Sequence, residues 1–305
     1  MWISHAIWPK ALRWSKKQLD RRTPLSYTDT RRKGAFLRMK IGVFLDHLRD
    51  ASTQTGEPLN KIALRAAQAG IEFVHVNGNF WMENEARVDE LLEQAGLYVG
   101  SSDNIFHFTQ NRDLDKAEKL IRFLSRKGVE QLLLIPGFVH AAQSRQSAMD
   151  EAARCMKELM YLARSLHVKC SLEDYDNASA PFGTWQELKW YVDQIPELGI
   201  SFDTGNFAFF GQHALEAYEQ LKPHICHVHL KDRKYSGRSG EEPLRALDGK
   251  LLYPSSVGGG EMPVKEIVSD LKKNGYQGGV LIEHFGSADM MADMLASAEW
   301  LKAYA

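Results

Sequence analysis

The chain contains little cysteine, and the few residues that it has are not spaced for pairing. They are Cys155, Cys170 and Cys226, which include no C-x-x-C pair. An odd number of widely separated cysteines argues against a framework of disulfide bonds. We therefore expect buried, reduced thiols and a cytoplasmic protein.

The sequence also lacks a long hydrophobic run. A membrane-spanning helix needs about 20 consecutive apolar residues, and no stretch of the chain approaches that length. The overall composition, 44% hydrophobic and 25% charged, is ordinary for a globular protein. A chain of 305 residues is long enough for one large α/β domain or for two smaller ones. We expect no membrane partner.

Net charge is nearly absent, at a formal value of −1, but the charges are unevenly distributed. Residues 1–38 hold ten Lys and Arg against two Asp and Glu, so residues 39–305 are net acidic. A net-acidic body argues against nucleic-acid binding, which depends on basic surfaces. The basic stretch lacks the continuous apolar core of a secretory signal. We expect residues 1–38 to form an extension outside the fold, and residues 39–305 to form a single catalytic domain.

From residue 39 onward, strand-like apolar runs alternate with segments of helical periodicity. The helical spacing is clearest between residues 152 and 166, where apolar residues recur at i, i+3, i+4 and i+7. Eight strands separated by helices predict a parallel sheet closed into a (β/α)8 TIM barrel. A doubly wound open sheet is the alternative, but no G-x-G-x-x-G follows the first strand. The predicted strands cover residues 40–45, 71–76, 97–104, 130–135, 168–173, 198–203, 224–230 and 278–284.

Glycines and one long segment mark the connections between these elements. A glycine between a helical pattern and the next strand predicts a left-handed helix end, which glycine adopts without strain. The segment 231–262 is longer than the other connections, and we interpret it as a substrate lid. Within it, Gly258–Gly260 precede Pro263 and predict a helix start, with a phosphate-binding loop as the alternative. The glycines at predicted helix ends are Gly70, Gly96, Gly128, Gly199 and Gly275.

Residues of the types that bind metals lie at the ends of the last four predicted strands. They are Glu173, Asp203, His229 and Glu283. The C-terminal ends of the strands of a parallel barrel meet at one face, so these side chains are expected to converge. Three crowded carboxylates repel one another, and a divalent cation removes that conflict. Oxygen-rich ligation with one nitrogen favours Mn²⁺, with Co²⁺, Mg²⁺ or Zn²⁺ as alternatives.

The second half of the chain carries five motifs in succession: SLEDYDN, SFDTGNF, HVHLKD, VGGGEMP and LIEHFG. Together they resemble the sugar phosphate isomerase/epimerase branch of the xylose isomerase-like TIM-barrel superfamily, over roughly residues 40–303. The resemblance implies that Glu173, Asp203, His229 and Glu283 bind one metal ion. It also implies that the two glutamates act as acid and base in an isomerase or epimerase. The substrate implied is a small sugar, a sugar phosphate or a related ketone.

Four further residues are candidates for contact with the substrate. Asn206 stands where many family members have histidine, and its amide can hold a hydroxyl but cannot carry a proton. His75, near the end of the second strand, is a candidate whose alternative is a hydrogen-bonded core histidine. Lys231 and Arg233 are candidates for meeting an anionic group, with flexible surface charge as the alternative.

Three competing functions use the same kind of barrel. Apurinic-site endonucleases carry additional His and Asp ligands, whereas RKYSGRSGEEPLRALDGK, which follows HLKD here, has no histidine. Dehydratases of inosose-type ketones share the enolisation step, so the sequence leaves them open. A non-catalytic sugar-binding barrel is disfavoured by the two glutamates. The expected partner is a small carbohydrate, without nucleic acid, and self-association into a homo-oligomer is left open.

If residues 1–38 lie outside the fold, a shortened chain that begins at Met39 should fold like the full chain. Its melting temperature, measured by circular dichroism, should fall by less than about 2–4 °C, the shift that roughly 1 kcal/mol causes in a domain of this size. A larger fall would show that the segment packs against the domain.

Overall fold

The predicted strands are present and pair in parallel around a closed barrel. The computed structural model describes residues 39–304. The strands are β1 (Lys40–Phe44), β2 (Phe73–Asn77), β3 (Tyr98–Ile105), β4 (Gln131–Ile135), β5 (Lys169–Leu172), β6 (Gly199–Asp203), β7 (Ile225–Lys231), β8 (Arg233–Lys234), β9 (Leu244–Arg245), β10 (Leu251–Pro254) and β11 (Gly279–Glu283). Around the barrel the strands follow the order β1, β11, β7, β6, β5, β4, β3, β2, which confirms the (β/α)8 TIM barrel and excludes the open sheet.

Helices occupy the connections and turn their apolar stripes toward the strands. The helix with the clearest periodicity, α6 (Arg145–Ser165), buries Cys155, Met156 and Leu159 almost completely. The side chain of Ser144 caps its first turn by accepting a hydrogen bond from the amide of Ser147. The helices are α1 (Leu45–Thr55), α2 (Leu59–Gln68), α3 (Gly78–Glu83), α4 (Glu85–Ala95), α5 (Leu114–Lys127), α6 (Arg145–Ser165), α7 (Trp185–Gln194), α8 (Ala214–Leu221), α9 (Val264–Lys273) and α10 (Met290–Tyr304).

The glycine prediction is correct at four positions and wrong at the fifth. Gly70, Gly96, Gly128 and Gly275 all have the positive φ of a left-handed helix end. Gly199 is instead the first residue of β6 and does not have a positive φ. A Cβ atom at this position would overlap the sulfur of Cys226 on the neighbouring strand. Gly199 therefore serves close packing rather than chain reversal.

The long connection that follows β7 is not an irregular loop. It contains a small antiparallel sheet in which β10 lies between β8 and β9. Ala246 and Leu252 pack on Phe209, in the short 3₁₀ helix Asn206–Phe210. The amide of Leu247 also donates to the carbonyl of Phe209 at 2.9 Å. The small sheet is thus anchored on the segment that directly follows β6.

The remaining predictions about the chain ends and membranes have different outcomes. The predicted extension, residues 1–38, lies outside the described residues, so that prediction stays untested. Among residues 39–304, no helix combines the length and the apolar character needed to cross a membrane.

Replacement of Gly199 by alanine should destabilise the barrel by about 1–3 kcal/mol, the usual effect of overpacking a filled interior. The loss should appear in urea unfolding followed by circular dichroism. Because the clash is with Cys226, the double variant Gly199→Ala/Cys226→Ala should be more stable than the two separate losses predict. Simple additivity of the two substitutions would contradict this explanation.

Candidate metal centre

The four predicted metal ligands meet at the C-terminal mouth of the barrel. Asp203 and Glu283 are the last residues of β6 and β11, and Glu173 directly follows β5. His229 lies in β7, where it is the register partner of Asp203. All four side chains are buried, and each offers a ligand atom within 4.8 Å of the others. The structure therefore brings the four residues together, while their role as ligands stays a prediction.

Several atoms of this cluster lack the hydrogen bonds that buried polar atoms normally have. Glu173 Oε1 lies 2.5 Å from His229 Nδ1, and Glu283 Oε2 lies 3.4 Å from the same nitrogen. Neither the Glu173–His229 contact nor any other contact within residues 39–304 gives a well-oriented hydrogen bond to Glu173 Oε1, His229 Nδ1 or Asp203 Oδ2. Such atoms are costly to bury without a partner. Three carboxylates and one imidazole nitrogen fit a divalent cation, which would satisfy these atoms together.

Burial and mutual repulsion perturb the titration of the cluster. Burial raises the pKa of Asp203 to about 8 and also raises the pKa of Glu173. Burial alone would lower the pKa of His229, but Glu173 and Glu283 outweigh it and raise that pKa to about 10. Burial would likewise raise the pKa of Glu283, but Lys231 and His229 outweigh it and hold that pKa below its usual range. An imidazole must lose its extra proton to bind a metal, so a bound cation would reverse the state of His229.

Lys231 is a buried member of the cluster rather than a flexible surface charge. It is the register partner of Glu283 in the barrel sheet. Its Nζ lies 2.5 Å from Glu283 Oε1 and 3.9 Å from Asp203 Oδ2, and it donates to Asn206 Oδ1 at 2.6 Å. Burial lowers the pKa of Lys231, but the surrounding carboxylates outweigh it and raise the pKa. The surface-charge alternative is therefore wrong for this residue.

The turn after β6 orients Asp203 and Asn206. The amides of Gly205 and Asn206 donate to Asp203 Oδ1 at 2.7 and 2.6 Å, which turns Oδ2 toward the cluster. The side-chain amide of Asn206 donates to the carbonyl of Asp174 at 2.9 Å and accepts from Lys231. Asn206 thus holds Lys231 and the backbone of Asp174 in place beside the cluster. Its predicted contact with the substrate stays untested.

His75 lies beside the cluster and is already hydrogen-bonded. Its Nδ1 lies 2.8 Å from Ser101 Oγ, and its Nε2 lies 3.2 Å from Asp103 Oδ1. The centre of its ring is 5.6 Å from that of His229. The structure therefore gives His75 the partners of the core alternative, at a place where it borders the site.

Arg233 and two acidic residues extend the charged network. Arg233 is buried, and its guanidinium lies 2.8 Å from Asp176 Oδ2, so the surface-charge alternative is wrong here as well. Asp174 is fully buried, and among the described residues neither of its carboxylate oxygens has a hydrogen-bond partner. Burial, and then the charges of Asp203 and nearby Glu173, raise the pKa of Asp174 well above its usual value. Sequence analysis missed both aspartates because nothing in EDYD shows which carboxylates turn inward.

The triple glycine wraps an internal carboxylate. The amides of Gly258 and Gly260 each donate to Asp232 Oδ2 at 3.0 Å, and the amide of Met262 donates to Asp232 Oδ1 at 3.1 Å. A Cβ atom at Gly260 would overlap this carboxylate. The phosphate-binding alternative is therefore wrong, since Asp232 takes the amides, and the predicted helix start is confirmed by α9.

An apolar surface borders the cluster on the side of β1. The ring of Phe44 lies 5.4 Å from that of His229 and 5.2 Å from that of Phe285, measured between centres. Phe285 is 42% exposed, so part of this apolar surface is open to solvent. Neither phenylalanine stood out in the sequence, because apolar residues at strand ends are common.

Fold and site together define a (β/α)8 barrel with a buried carboxylate–histidine cluster at its mouth. The chain belongs to the xylose isomerase-like TIM barrel family, whose model matches residues 63–304. It is also 26% identical, over 182 residues, to an uncharacterized protein (MJ1311) of Methanocaldococcus jannaschii. That match spans 57% of this chain and 56% of the relative.

Three solved structures illustrate the shared fold, each at less than 25% identity. A D-psicose 3-epimerase with D-tagatose, from Clostridium cellulolyticum H10, is 15% identical with a TM-score of 0.63, covering 87% of this chain and 99% of that one. A xylose isomerase-like barrel from Mycobacterium smegmatis in complex with magnesium is 18% identical with a TM-score of 0.64, covering 88% of this chain and 96% of that one. The probable 3-DHS dehydratase AsbF from Bacillus anthracis is 15% identical with a TM-score of 0.62, covering 87% of this chain and 99% of that one.

If the cluster binds one divalent ion, calorimetric titration with Mn²⁺ should give one site per chain, and Asp203→Ala should abolish it. Burial raises the pKa of Asp203 to about 8, and Glu173 and Glu283 raise that of His229 to about 10, so binding of the ion at pH 7 should release protons. The measured enthalpy should then differ between buffers of different ionisation enthalpy. Unchanged stoichiometry in a folded Asp203→Ala variant would contradict the assignment.

Proposed function

We propose that this protein is a divalent-metal-dependent enzyme that isomerises or epimerises a small sugar, a sugar phosphate or a related ketone. The observation that carries the proposal is the buried cluster, whose four ligand-type atoms lie within 4.8 Å of one another. Membership of the xylose isomerase-like family supports it. The likeness in fold to a D-psicose 3-epimerase supports the choice of carbohydrate chemistry.

The residues that would hold the ion are Glu173, Asp203, His229 and Glu283. When bound, such an ion supplies Lewis-acid polarisation of a ketone oxygen and its neighbouring hydroxyl. We favour Mn²⁺ because it accepts mixed oxygen and nitrogen ligation, with Co²⁺, Mg²⁺ and Zn²⁺ as alternatives. The magnesium complex of the Mycobacterium smegmatis barrel supports a divalent ion in this fold.

In the proposed reaction, Glu173 and Glu283 are the two candidate groups for moving a proton. A carboxylate that gives one oxygen to an ion keeps the other as a general base. Burial raises the pKa of Glu173, which makes its carboxyl better able to take and return a proton near neutral pH. Loss of a proton beside the ketone gives an enediolate. Return of a proton to the opposite face gives the epimer, and return to the neighbouring carbon gives the isomer.

The residues around the cluster would orient the substrate and exclude water. Phe44 and Phe285 offer an apolar surface for the C–H face of a sugar. His75, Lys231 and Arg233 are proposed to donate to substrate oxygens, at points where each already has a protein partner.

Dehydration of an inosose-type ketone is the second candidate function. It shares the enediolate and differs only in the fate of that intermediate, and the fold of the probable 3-DHS dehydratase AsbF supports it. A nuclease is less favoured. Although His75, His227 and His229 form a second group that could hold a metal, His229 already belongs to the first cluster. A non-catalytic sugar-binding barrel is also less favoured, because it needs no buried acid and base.

Glu173→Gln keeps the shape of the side chain and one oxygen donor but removes the proton acceptor. Turnover of the metal-loaded variant should fall by roughly 10²–10⁴-fold, the usual contribution of a general base. Activity should be expressed per bound ion, so that loss of metal is not mistaken for loss of the base. The matched control Glu90→Gln, at an exposed position of α4, should keep full turnover. Full turnover in metal-loaded Glu173→Gln would place the base elsewhere.

A further inference from the structure

The two glutamates of the cluster do not have equivalent surroundings. Glu283 Oε1 lies 2.5 Å from Lys231 Nζ, while Oε2 of the same carboxylate faces His229 Nδ1 at 3.4 Å. Glu173 contacts His229, but among residues 39–304 no Lys or Arg nitrogen forms an ion pair with it. Glu283 is therefore engaged at both oxygens, by Lys231 and by His229. By contrast, Glu173 contacts His229, whose imidazole is itself a proposed metal ligand.

Lys231 is held firmly in this position. Its ammonium has three donor hydrogens and donates one to Asn206 Oδ1 at 2.6 Å. One carboxylate oxygen each of Asp176 and Asp203 lies 3.9 Å from the same nitrogen. The lysine side chain is only 8% exposed, and moving it away would leave a buried carboxylate without its partner.

The backbone fixes the same contact. Lys231 and Glu283 are register partners in the parallel pair β7–β11, so their side chains leave the sheet side by side. Glu173 lies one residue beyond β5 and has no such partner. The difference between the two glutamates therefore begins with strand register, which places Lys231 next to Glu283.

We propose that the contact with Lys231 prevents Glu283 from acting as a base and leaves Glu173 as the single base. The proton would then leave and return on one face of the substrate. The inference rests on the proposed enolisation. A carboxylate oxygen that accepts a short, charge-assisted hydrogen bond has little capacity left for a C–H proton. The other oxygen of Glu283 is turned toward His229 and the centre of the cluster.

A reaction with a single base can lead to either of two products, an isomer or a dehydrated ketone. Glu173 takes the proton, the C–H electron pair becomes the C=C bond of the enediolate, and the carbonyl π pair moves to oxygen. If Glu173 returns the proton to the neighbouring carbon, and the hydroxyl proton moves from its oxygen to the other oxygen of the enediolate, the new carbonyl forms on the first carbon and the product is the isomer. If the intermediate instead expels hydroxide from the next carbon, the proton held by Glu173 completes a water molecule and the product is a dehydrated ketone. Inversion of one carbon requires delivery from the opposite face, which this arrangement does not supply.

The test uses the Mn²⁺-loaded full chain in D₂O, with D-fructose, D-tagatose and an inosose as the substrates supplied. NMR should show deuterium beside the carbonyl with retained configuration, and fewer than about one epimer per hundred exchanges, a hundredfold preference in rate. Glu173→Gln should stop the exchange, and its loss of exchange per bound ion should exceed that of Glu283→Gln by at least about tenfold. Epimer formed as fast as exchange, and abolished by Glu283→Gln, would overturn the inference and leave the proposed function standing. If the metal-loaded protein exchanges deuterium into none of the three substrates, the result would contradict the proposed function itself.

The variant Lys231→Met removes the cation and keeps the length of the side chain, which frees Glu283 Oε1. The ratio of epimer to exchange should rise at least about tenfold, equal to 1.36 kcal/mol in relative barriers. The control Lys127→Met removes a half-buried lysine that pairs with Glu85 and Asp89 at the end of α5, and it should keep the wild-type ratio. An unchanged ratio in folded Lys231→Met would overturn the role of the lysine. If that variant does not fold, the comparison of Glu173→Gln with Glu283→Gln decides the matter.

Discussion

Three carboxylates crowded into one buried pocket repel one another unless positive charge lies close by or one of them takes up a proton. Glu173, Asp203 and Glu283 are each at most 6% exposed, and two such charges 4 Å apart repel by about 4 kcal/mol at an effective dielectric near 20. His229 and Lys231 lie between them, and the cluster still contains oxygen and nitrogen atoms without a hydrogen bond inside the described part of the chain. This repulsion is the constraint on which the rest of the mouth depends. It explains why a candidate cation site and a buried lysine occur together.

The surrounding structure holds the participants of that cluster in place from two directions. On one side, the small sheet β8–β10–β9 packs on the 3₁₀ helix Asn206–Phe210, which fixes the acceptor of Lys231. On the other side, Asp232 collects backbone amides from the glycine-rich loop and so fixes the chain directly after Lys231. Both the small sheet and the loop that binds Asp232 lie within the segment 231–262, which the sequence analysis interpreted as a substrate lid. The segment therefore contributes to the geometry of the site in addition to any closing motion.

The sequence predicts the barrel and its ligand cluster because both follow from repeated patterns. Strand ends converge in any parallel barrel, so locating Asp203 and Glu283 at strand ends was sufficient to bring them together. Gly199 was misinterpreted because a glycine needed for close packing and a glycine needed for a helix end look identical in a sequence. The strands β8 and β9 have two residues each, which is too short for an alternating pattern to be recognised. Asp174 and Asp176 follow a strand end. Side chains alternate between two faces within a strand but not in the loop after it, so the sequence does not predict where these two carboxylates point.

Lys231 is different, because a pattern that could have located it is present in the sequence. His227, His229 and Lys231 are two residues apart along one strand, and alternate residues of a strand point to the same face. If His229 points to the mouth, Lys231 must do so as well, and burial beside an acid follows. The register of β7 with β11 then selects Glu283 as that acid, which pattern alone cannot do. The unequal surroundings of the two glutamates thus arise from the pairing of two strands, a property of the folded barrel that no single strand contains.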